Sequence, residues 1–385
     1  MGDLLIRRTG RVFGTDVEPP GAILIRGGRI ESVMTEAEAR VLQSDFPYLD
    51  AGGRAVIPGF VDAHTHLVFA GDRADEYAAR LEGRPYEAGG IMRTVERTRA
   101  AGVDELINGV VGRAEACLDL GTTTIEVKSG YGLETGTERR SLKAVWAANE
   151  RVEATLVPTF LGAHLDLGGD YIDQLIEEML PACASLARGV DAFCDEGILT
   201  VDQARRVLAA GREHGLAPHI HADQLTHSGG ARLAAEMKCA SADHLVHVTA
   251  DDARAMAAAG VVAVLLPSAS FCMQAAYAPA RMLLDAGVEV ALATDCNPGT
   301  SYTTSMPFVI ALACNVLAMS PVEAVRAATL GGAHALGLDD VGHITAGAQA
   351  DLVVLDADHW IDIPYHPGMN MIGAVVKDGV VVRGS

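Results

Sequence analysis

Two histidines separated by a single residue, His64 and His66, have the type and spacing of ligands to one divalent metal ion. They end the segment PGFVDAHTH at 58–66, which follows an apolar run typical of a buried strand. Alternate residues of a strand face the same side, so both imidazoles should point in one direction. Two such imidazoles can bind one Zn²⁺. An isolated pair is also found as ordinary structural histidines, so the interpretation depends on further ligands nearby.

Metal-competent residues also follow three later apolar runs. The segments are HIHADQ at 219–224, ADH at 242–244 and ATDCNPG at 293–299. Each segment alone is unremarkable, since a lone Asp after a strand is usually a helix cap. Together they offer His, His, His and Asp around one cavity with a position left for water, which is typical of a catalytic metal site. His219 shares a strand face with His221 and is interpreted as a core residue.

The elements that must position these residues alternate between apolar, β-branched runs and amphipathic helical stretches. The eight predicted strands begin near Val56, Thr122, Thr155, Val190, Pro218, Ser241, Val261 and Val288. Strands of this kind alternating with helices predict a parallel sheet. Eight units over roughly 280 residues fit a (β/α)₈ TIM-like barrel of the α/β class. The alternative is an open doubly wound sheet, but no GxGxxG or GxxxxGK[ST] motif follows any strand.

One helix has clear sequence boundaries. The pattern at 201–214 predicts a helix that is capped by Thr200 and stops at Gly215.

The two ends of the chain share a sequence pattern of short strands separated by turns. Residues 1–56 and 345–385 are each too short to bury a core alone, so we predict that they form one small β-sandwich domain together. Residues 57–344 are then the barrel domain. The predicted terminal strands lie near 4–7, 22–25, 350–355 and 374–382. Two independent ends are disfavoured because unpaired apolar strands tend to aggregate.

Composition excludes several classes of partner. The chain has 385 residues, with 50 acidic and 30 basic side chains and a formal charge of −20, which argues against nucleic acid or an anionic membrane. We find no apolar run of ~18 residues and no signal-peptide pattern. Seven cysteines without a CxxC motif do not indicate a disulfide framework or a zinc ribbon. The expectation is a cytoplasmic protein with reduced thiols.

With these motifs in place, the chain resembles the amidohydrolase superfamily and, within it, the imidazolonepropionases. HxH on strand one, His on strands five and six, and Asp on strand eight mark the superfamily. The more specific segments are HTHLVFAGDR at 64–73, GRPY and AGGI within 83–91, TTTIEVKSGYGLE at 122–134, FLGAH at 160–164, HADQL at 221–225, SADHL at 241–245 and ALATDCNPGTS at 291–301. They cover nearly the whole chain.

This resemblance implies hydrolysis of the cyclic amide of 4-imidazolone-5-propanoate to N-formimidoyl-L-glutamate, a step of histidine degradation, by a homodimer. It implies one divalent ion per chain, zinc or iron. The implied metal ligands are His64, His66, His221 and Asp295. The implied catalytic residues are His244, as electrophile or proton shuttle, Asp295, as acceptor of a proton from water, and Gln224.

The substrate carries an anionic propionate, so a protein of strongly negative charge needs a local cation to bind it. Arg73 follows the first strand closely, and its planar guanidinium suits a carboxylate. The resemblance adds the substrate-binding residues Tyr86, Tyr131, His164, Gln224, Asn297, Gly299 and Thr300.

Two features depart from the family pattern. Position 224 is Gln where some relatives carry Glu, and Gln cannot shuttle a proton. The segment 165–171 lacks the Pro-rich loop that is associated with the family.

Other functions stay open at this point. A hydantoinase or dihydroorotase commonly uses two metals bridged by a carboxylated lysine, and among four lysines only Lys128 is near a strand end. A purine or pyrimidine aminohydrolase usually has Glu where Gln224 stands. A relative acting on a sulfur-containing imidazolone analogue is a further alternative. A non-enzymatic scaffold would be expected to have lost metal ligands, and all of them are present.

Overall fold

The structure, a computed structural model, describes residues 1–42, 46–83 and 90–384. Tyr86, one of the predicted substrate-binding residues, lies outside the described residues. The described strands form three sheets. They are β1 Leu4–Thr9, β2 Gly21–Arg26, β3 Arg29–Thr35, β4 Tyr48–Asp50, β5 Val56–Pro58, β6 Phe60–Asp62, β7 Thr122–Lys128, β8 Thr155–Ala163, β9 Gly189–Cys194, β10 Ala217–Ala222, β11 Ser241–His244, β12 Val262–Leu265, β13 Val290–Leu292, β14 Leu352–Leu355, β15 Ile372–Lys377 and β16 Val380–Arg383.

The central sheet contains eight parallel strands, β6 to β13, in sequence order. The first and last strands meet just beyond their ends, where Asp295 N donates to His64 O at 3.0 Å and His66 N donates to Cys296 O at 3.0 Å. These bonds close the sheet, so the predicted (β/α)₈ barrel is confirmed. Apolar side chains from the strands and the surrounding helices form one large core.

Helices follow most barrel strands. The α-helices of the described residues are Glu36–Ala39, Ala74–Leu81, Ile91–Ala100, Val103–Leu118, Thr135–Asn149, Tyr171–Gln174, Leu180–Cys183, Val201–Glu213, Gly230–Met237, Ala250–Ala259, Pro267–Met273, Ala280–Asp285, Met306–Val316, Pro321–Arg326, Gly332–Ala335 and Asp362–Tyr365. Shorter π-helical turns span Leu175–Met179 and Ala327–Gly331, and a 3₁₀ turn spans Ala184–Leu186. Within the described ranges, no helix combines the length and apolar character needed to cross a membrane.

The predicted cap at Thr200 is confirmed. Its hydroxyl accepts from Gln203 N at 3.3 Å, and the Gln203 side chain accepts from Thr200 N at 2.9 Å. This reciprocal pair satisfies two backbone donors at the start of the helix Val201–Glu213.

Both ends of the chain contribute to a small sandwich beside the barrel. One sheet has the order β3-β2-β1-β4 and the other β16-β15-β14-β5. Their facing side chains share one core, in which Ile6 and Ile23 belong to the first sheet and Leu352 and Val376 to the second. The predicted sandwich from both termini is therefore present, while the division at residues 56 and 345 stays a prediction.

The first barrel strand begins later than predicted. Val56–Pro58 pairs with β14 in the small sheet, and the barrel begins at Phe60. The intervening Gly59 lies against Thr123, where any Cβ would overlap the threonine side chain. One continuous apolar run therefore supplies strands to two sheets, because Pro58 and Gly59 allow the chain to change sheets between them.

Candidate active site

Five potential metal ligands meet at the carboxyl ends of the barrel strands. They are His64, His66, His221, His244 and Asp295, and each is at most 3% exposed. Their ligand atoms form two overlapping groups, His64–His221–His244 and His64–His66–Asp295, each within 4.8 Å. The Nε2 atoms of His64 and His66 lie 3.6 and 3.5 Å from Asp295 Oδ1. The strands thus bring together all the ligands that the sequence predicts.

Two of these residues have an uncommon backbone conformation. His244 has φ 74° and Asp295 has φ 52°, in the left-handed region that non-glycine residues seldom occupy. His244 is the last residue of β11, and Asp295 lies just past β13. Strain of this kind concentrates at functional sites, where the surrounding structure holds it in place.

Carboxylates fix the tautomers of two of the histidines. His64 Nδ1 donates to Asp243 Oδ2 at 2.6 Å, and His221 Nδ1 donates to Asp191 Oδ1 at 3.1 Å. Both Nε2 atoms are then left with a lone pair, and neither has a hydrogen-bond partner among the described residues. Buried imidazole nitrogens without a partner, held by carboxylates behind them, fit a bound metal ion.

Lys128 lies behind these carboxylates, at the end of β7, and is fully buried. Its Nζ is 2.7 Å from Glu126 Oε1 and 2.8 Å from Asp191 Oδ2. Burial alone would lower the pKa of Lys128, but Asp191, Glu126 and Asp243 together raise it above its ordinary value. A charged ammonium cannot add carbon dioxide, so this arrangement argues against a carboxylated, metal-bridging lysine.

The imidazoles differ in the direction in which their pKa values are shifted. Burial lowers the pKa of His244 to about 3 and holds those of His64, His66 and His164 well below the ordinary value. These side chains are neutral near pH 7. Burial also opposes the charged form of His221, but Asp191 outweighs it and raises the pKa of His221.

Arg73 lies in the wall of the cavity that contains His66, His221, His244 and Asp295. It is only 3% exposed and directly precedes the helix Ala74–Leu81. Gly299 packs against its guanidinium, where any Cβ would overlap Arg73. A side chain at position 299 would therefore displace the guanidinium of the predicted carboxylate-binding residue from its present position.

Tyr131 and His164 line the same cavity. The His164 ring stacks on His66 with ring centres 5.1 Å apart, and its Nδ1 donates to Gly130 O at 3.0 Å. Since a carbonyl oxygen only accepts, the neutral ring keeps a lone pair on Nε2. His164 is thus able to accept a hydrogen bond from a ligand N–H group.

The loop that carries Tyr131 is fixed by a buried carboxylate. Glu138 accepts hydrogen bonds from the backbone N–H groups of Gly130, Gly132 and Leu133, at 2.9, 2.6 and 2.9 Å. The backbone around Tyr131 is therefore held rigidly at the cavity wall.

Gln224, Asn297 and Thr300 also line the cavity. Asp195 anchors the backbone of Gln224 at 2.9 Å. The side chain of Asn297 serves its own loop, since its Nδ2 donates to Asp295 O at 2.7 Å and its Oδ1 accepts from Thr300 N at 2.8 Å. Asn297 therefore shapes the loop that follows Asp295.

His219 lies outside this lining and bonds through Nδ1 to Ser241 Oγ at 2.9 Å.

Sequence reasoning noted Lys128 near a strand end and Asp243 within the ADH segment, but it did not predict the group of buried charges behind the ligands. Glu126, Lys128, Asp191 and Asp243 are all fully buried within barrel strands. A charged residue inside an otherwise apolar strand was the available signal, because buried charges need partners. Their partners were not predictable from spacing alone.

Comparison with known proteins agrees with this fold. Residues 48–167 and 173–384 match two profiles of the amidohydrolase family. Among solved structures, the chain is similar to a 5-methylcytosine deaminase from Klebsiella pneumoniae, with TM-score 0.82, 17% identity and coverage of 99% of this chain and 97% of that one. It is also similar to an adenosine deaminase from Xanthomonas campestris with bound zinc, with TM-score 0.75, 21% identity and coverage of 100% and 93%. At these identities the likeness establishes the barrel fold.

Curated relatives are much more similar in sequence. An imidazolonepropionase of Mycolicibacterium smegmatis is 47% identical, covering 94% of this chain and 90% of the relative. The imidazolonepropionase of Streptomyces griseus is 49% identical, with coverage of 93% and 91%. That of Halobacterium salinarum is 46% identical, with coverage of 94% and 92%.

The barrel and its buried imidazole cluster define an amidohydrolase. Membership of this class implies a divalent metal ion in the site. At this identity and coverage, the chain belongs to the imidazolonepropionase family.

Proposed function

We propose that this protein hydrolyses the cyclic amide of 4-imidazolone-5-propanoate to N-formimidoyl-L-glutamate in histidine degradation. The observation that carries the proposal is one cavity lined by Arg73, His66, His221, His244 and Asp295, in a chain of this family. Arg73 suits the propionate, and the other residues suit attack on a carbonyl group. The two ends of the substrate therefore have matching chemistry within one cavity.

His64, His66, His221 and Asp295 would hold one divalent ion, zinc or iron. Support comes from the Nε2 atoms of His64 and His221, which are buried and without hydrogen-bond partners among the described residues. When bound, the ion polarises a carbonyl group and makes water more acidic.

Arg73 would pair with the propionate and orient the ring above the histidines. A guanidinium and a carboxylate form charge-assisted hydrogen bonds, which are stronger than neutral ones. His164 would accept a hydrogen bond from a ring N–H group through the lone pair on Nε2. Tyr131 is 3% exposed and contributes to the cavity wall beside His164. These residues determine which substrate atom faces the reacting groups.

Asp295 would accept a proton from the attacking water. Burial raises the pKa of Asp295, with His244 and His221 opposing it, and a more basic carboxylate is a better proton acceptor. His244 would donate a hydrogen bond to the carbonyl oxygen as negative charge develops there. The water oxygen forms the new bond to carbon and the carbon–nitrogen bond breaks. The departing nitrogen takes up the proton that Asp295 accepted from the water.

The experiment is a direct assay with freshly prepared imidazolone propanoate. Loss of its ultraviolet absorbance should accompany formation of N-formimidoyl-L-glutamate, identified by mass spectrometry. Hydantoin and dihydroorotate, assayed under the same conditions, should give no comparable turnover. Hydrolysis of either of these, without reaction of the imidazolone, would contradict the proposal.

We propose further that the protein acts in the cytoplasm as a homodimer. All seven cysteines are free thiols, which suits a reducing compartment. The dimer follows from the family resemblance. Light scattering of the purified protein should give twice the chain mass, and cell fractionation should place the protein with cytoplasmic markers. A monomer in solution, or recovery in the membrane or secreted fraction, would contradict the respective proposal.

A further inference from the structure

Lys128 contacts three carboxylates inside the barrel. Besides Glu126 and Asp191, its Nζ lies 3.6 Å from Asp243 Oδ2, and all four side chains are fully buried. A lysine ammonium has three donors on a flexible stem and can serve several acceptors at once. Lys128 is therefore positioned to connect strands β7, β9 and β11 through charge.

Two of these carboxylates also hold metal-site histidines. Asp191 accepts a hydrogen bond from His221 Nδ1 at 3.1 Å, and Asp243 accepts one from His64 Nδ1 at 2.6 Å. The second oxygen of Asp243 is occupied as well, since Oδ1 accepts from Ser241 Oγ at 2.6 Å. One ammonium thus stands behind two separate carboxylate–histidine pairs.

We propose that Lys128 is a positioning residue for the metal site, which it serves by holding Asp191 and Asp243 as the acceptors that orient His221 and His64. This inference rests on the metal site of the proposed function. Lys128 acts through the two aspartates and touches neither substrate nor metal. Its role is to keep both Nε2 lone pairs directed at one point.

Lys128 is needed because burying three carboxylates away from water carries a large desolvation penalty, which a nearby positive charge offsets. Removing one partner of a buried ion pair leaves an uncompensated charge and is strongly unfavourable. Without the ammonium between them, the Asp191 and Asp243 carboxylates would repel each other and shift apart, and this shift would weaken their hold on the imidazoles. Loss of such outer partners typically lowers metal affinity about 10- to 100-fold.

The test compares Lys128→Met with a matched buried lysine elsewhere. Lys377 is 3% exposed and its Nζ lies 3.2 Å from Asp351 Oδ2, in the small sandwich. Lys377→Met also removes a buried ion pair, but one that has no contact with the metal site. Metal-stripped wild type and both variants are titrated with Zn²⁺ against a chromophoric chelator. Their Co²⁺ forms are compared by visible absorption, which reports the ligand geometry.

We expect Lys128→Met to bind Zn²⁺ about 10- to 100-fold more weakly and to show an altered Co²⁺ spectrum. Lys377→Met should keep wild-type affinity and spectrum. If circular dichroism shows that Lys128→Met is unfolded, the double variant Glu126→Gln/Lys128→Met, which keeps the formal charge of the cluster, takes its place with the same expectation.

A folded variant lacking Lys128 that retains wild-type Zn²⁺ affinity and Co²⁺ spectrum would overturn this inference while leaving the proposed function intact. Equal losses in Lys128→Met and Lys377→Met would also overturn it, since they would show a general effect of stability. Wild type that binds no Zn²⁺ and no Fe²⁺ would instead contradict the metal site of the proposed function, and this inference with it.

Discussion

Glu76 accepts two hydrogen bonds from Arg73, one from Nε at 2.8 Å and one from Nη2 at 2.6 Å. Arg73 immediately precedes the helix Ala74–Leu81, and Glu76 lies in the first turn of that helix. Arg73 is thereby oriented before any substrate binds, with one edge of its guanidinium held by protein. Preorganisation of this kind reduces the ordering cost of binding.

Arg73→Met should raise KM for imidazolone propanoate. A hydrogen bond to a charged group contributes roughly 1.5–3 kcal/mol, which corresponds to about 10- to 150-fold. A lower kcat would accompany it if binding of the tail orients the ring. Steady-state kinetics should be repeated with an analogue whose tail is an uncharged amide. Equal losses on both substrates would show that Arg73 does not bind the carboxylate.

Glu76→Ala should raise KM less than Arg73→Met does, because it removes a contact that orients Arg73 but leaves the positive charge of Arg73 in the cavity. A net hydrogen bond contributes about 0.5–1.5 kcal/mol, or roughly 2- to 12-fold. Glu76→Gln should recover part of this loss, since its amide oxygen still accepts a hydrogen bond. The neutral-tail analogue is the control and should respond little. A KM for Glu76→Ala equal to wild type would refute the positioning role.

His66→Ala should remove most of the bound metal and nearly all turnover, because a site with fewer ligands binds metal weakly. Elemental analysis of purified protein is the measurement, with one equivalent per chain expected in wild type. His227→Ala is a matched control, since His227 is half exposed and pairs with Asp252. Two equivalents of metal in fully active wild type would contradict the mononuclear site.

His244→Asn should lose about 10²-fold or more in kcat while retaining metal, as expected when a general acid–base or electrophilic group is removed. Its ring centre lies 5.4 Å from that of His64 and 5.2 Å from that of His221, so it is within the cluster. Metal content and rate are measured on the same sample. Loss of metal would make His244 a ligand, and a near-wild-type rate with metal retained would leave proton transfer to Asp295 alone.

Gln224→Ala should mainly weaken substrate binding, because a glutamine side chain orients groups by hydrogen bonding and transfers no proton. Gln224→Glu should keep substantial activity with a shifted pH profile, since it adds an ionisable group to the cavity. Profiles of kcat and kcat/KM against pH distinguish the two effects. If Gln224→Ala lowered kcat about 10²-fold with KM unchanged, a direct chemical role for Gln224 would follow.

The fold was predictable because its signals are local. Apolar strands alternating with helices indicate a parallel barrel, and the Thr200 cap is set by residues three positions apart. The exception was the first barrel strand. Val56–Pro58 and Phe60–Asp62 look like one strand in the sequence, since the choice between two sheets depends on which surfaces lie beside each half.

The sequence by itself determined the types of ligand, their places at strand ends, and an arginine near the first of them. Only the tertiary structure decided which buried charges hold those ligands. His64 and Asp243 are 179 positions apart, and His221 and Asp191 are 30 apart. Lys128 meets both aspartates because the barrel closes around it. Pairings of this kind depend on strand register and barrel closure, which no local sequence pattern encodes. Buried charges are stable only where the closed barrel brings their partners into contact with them.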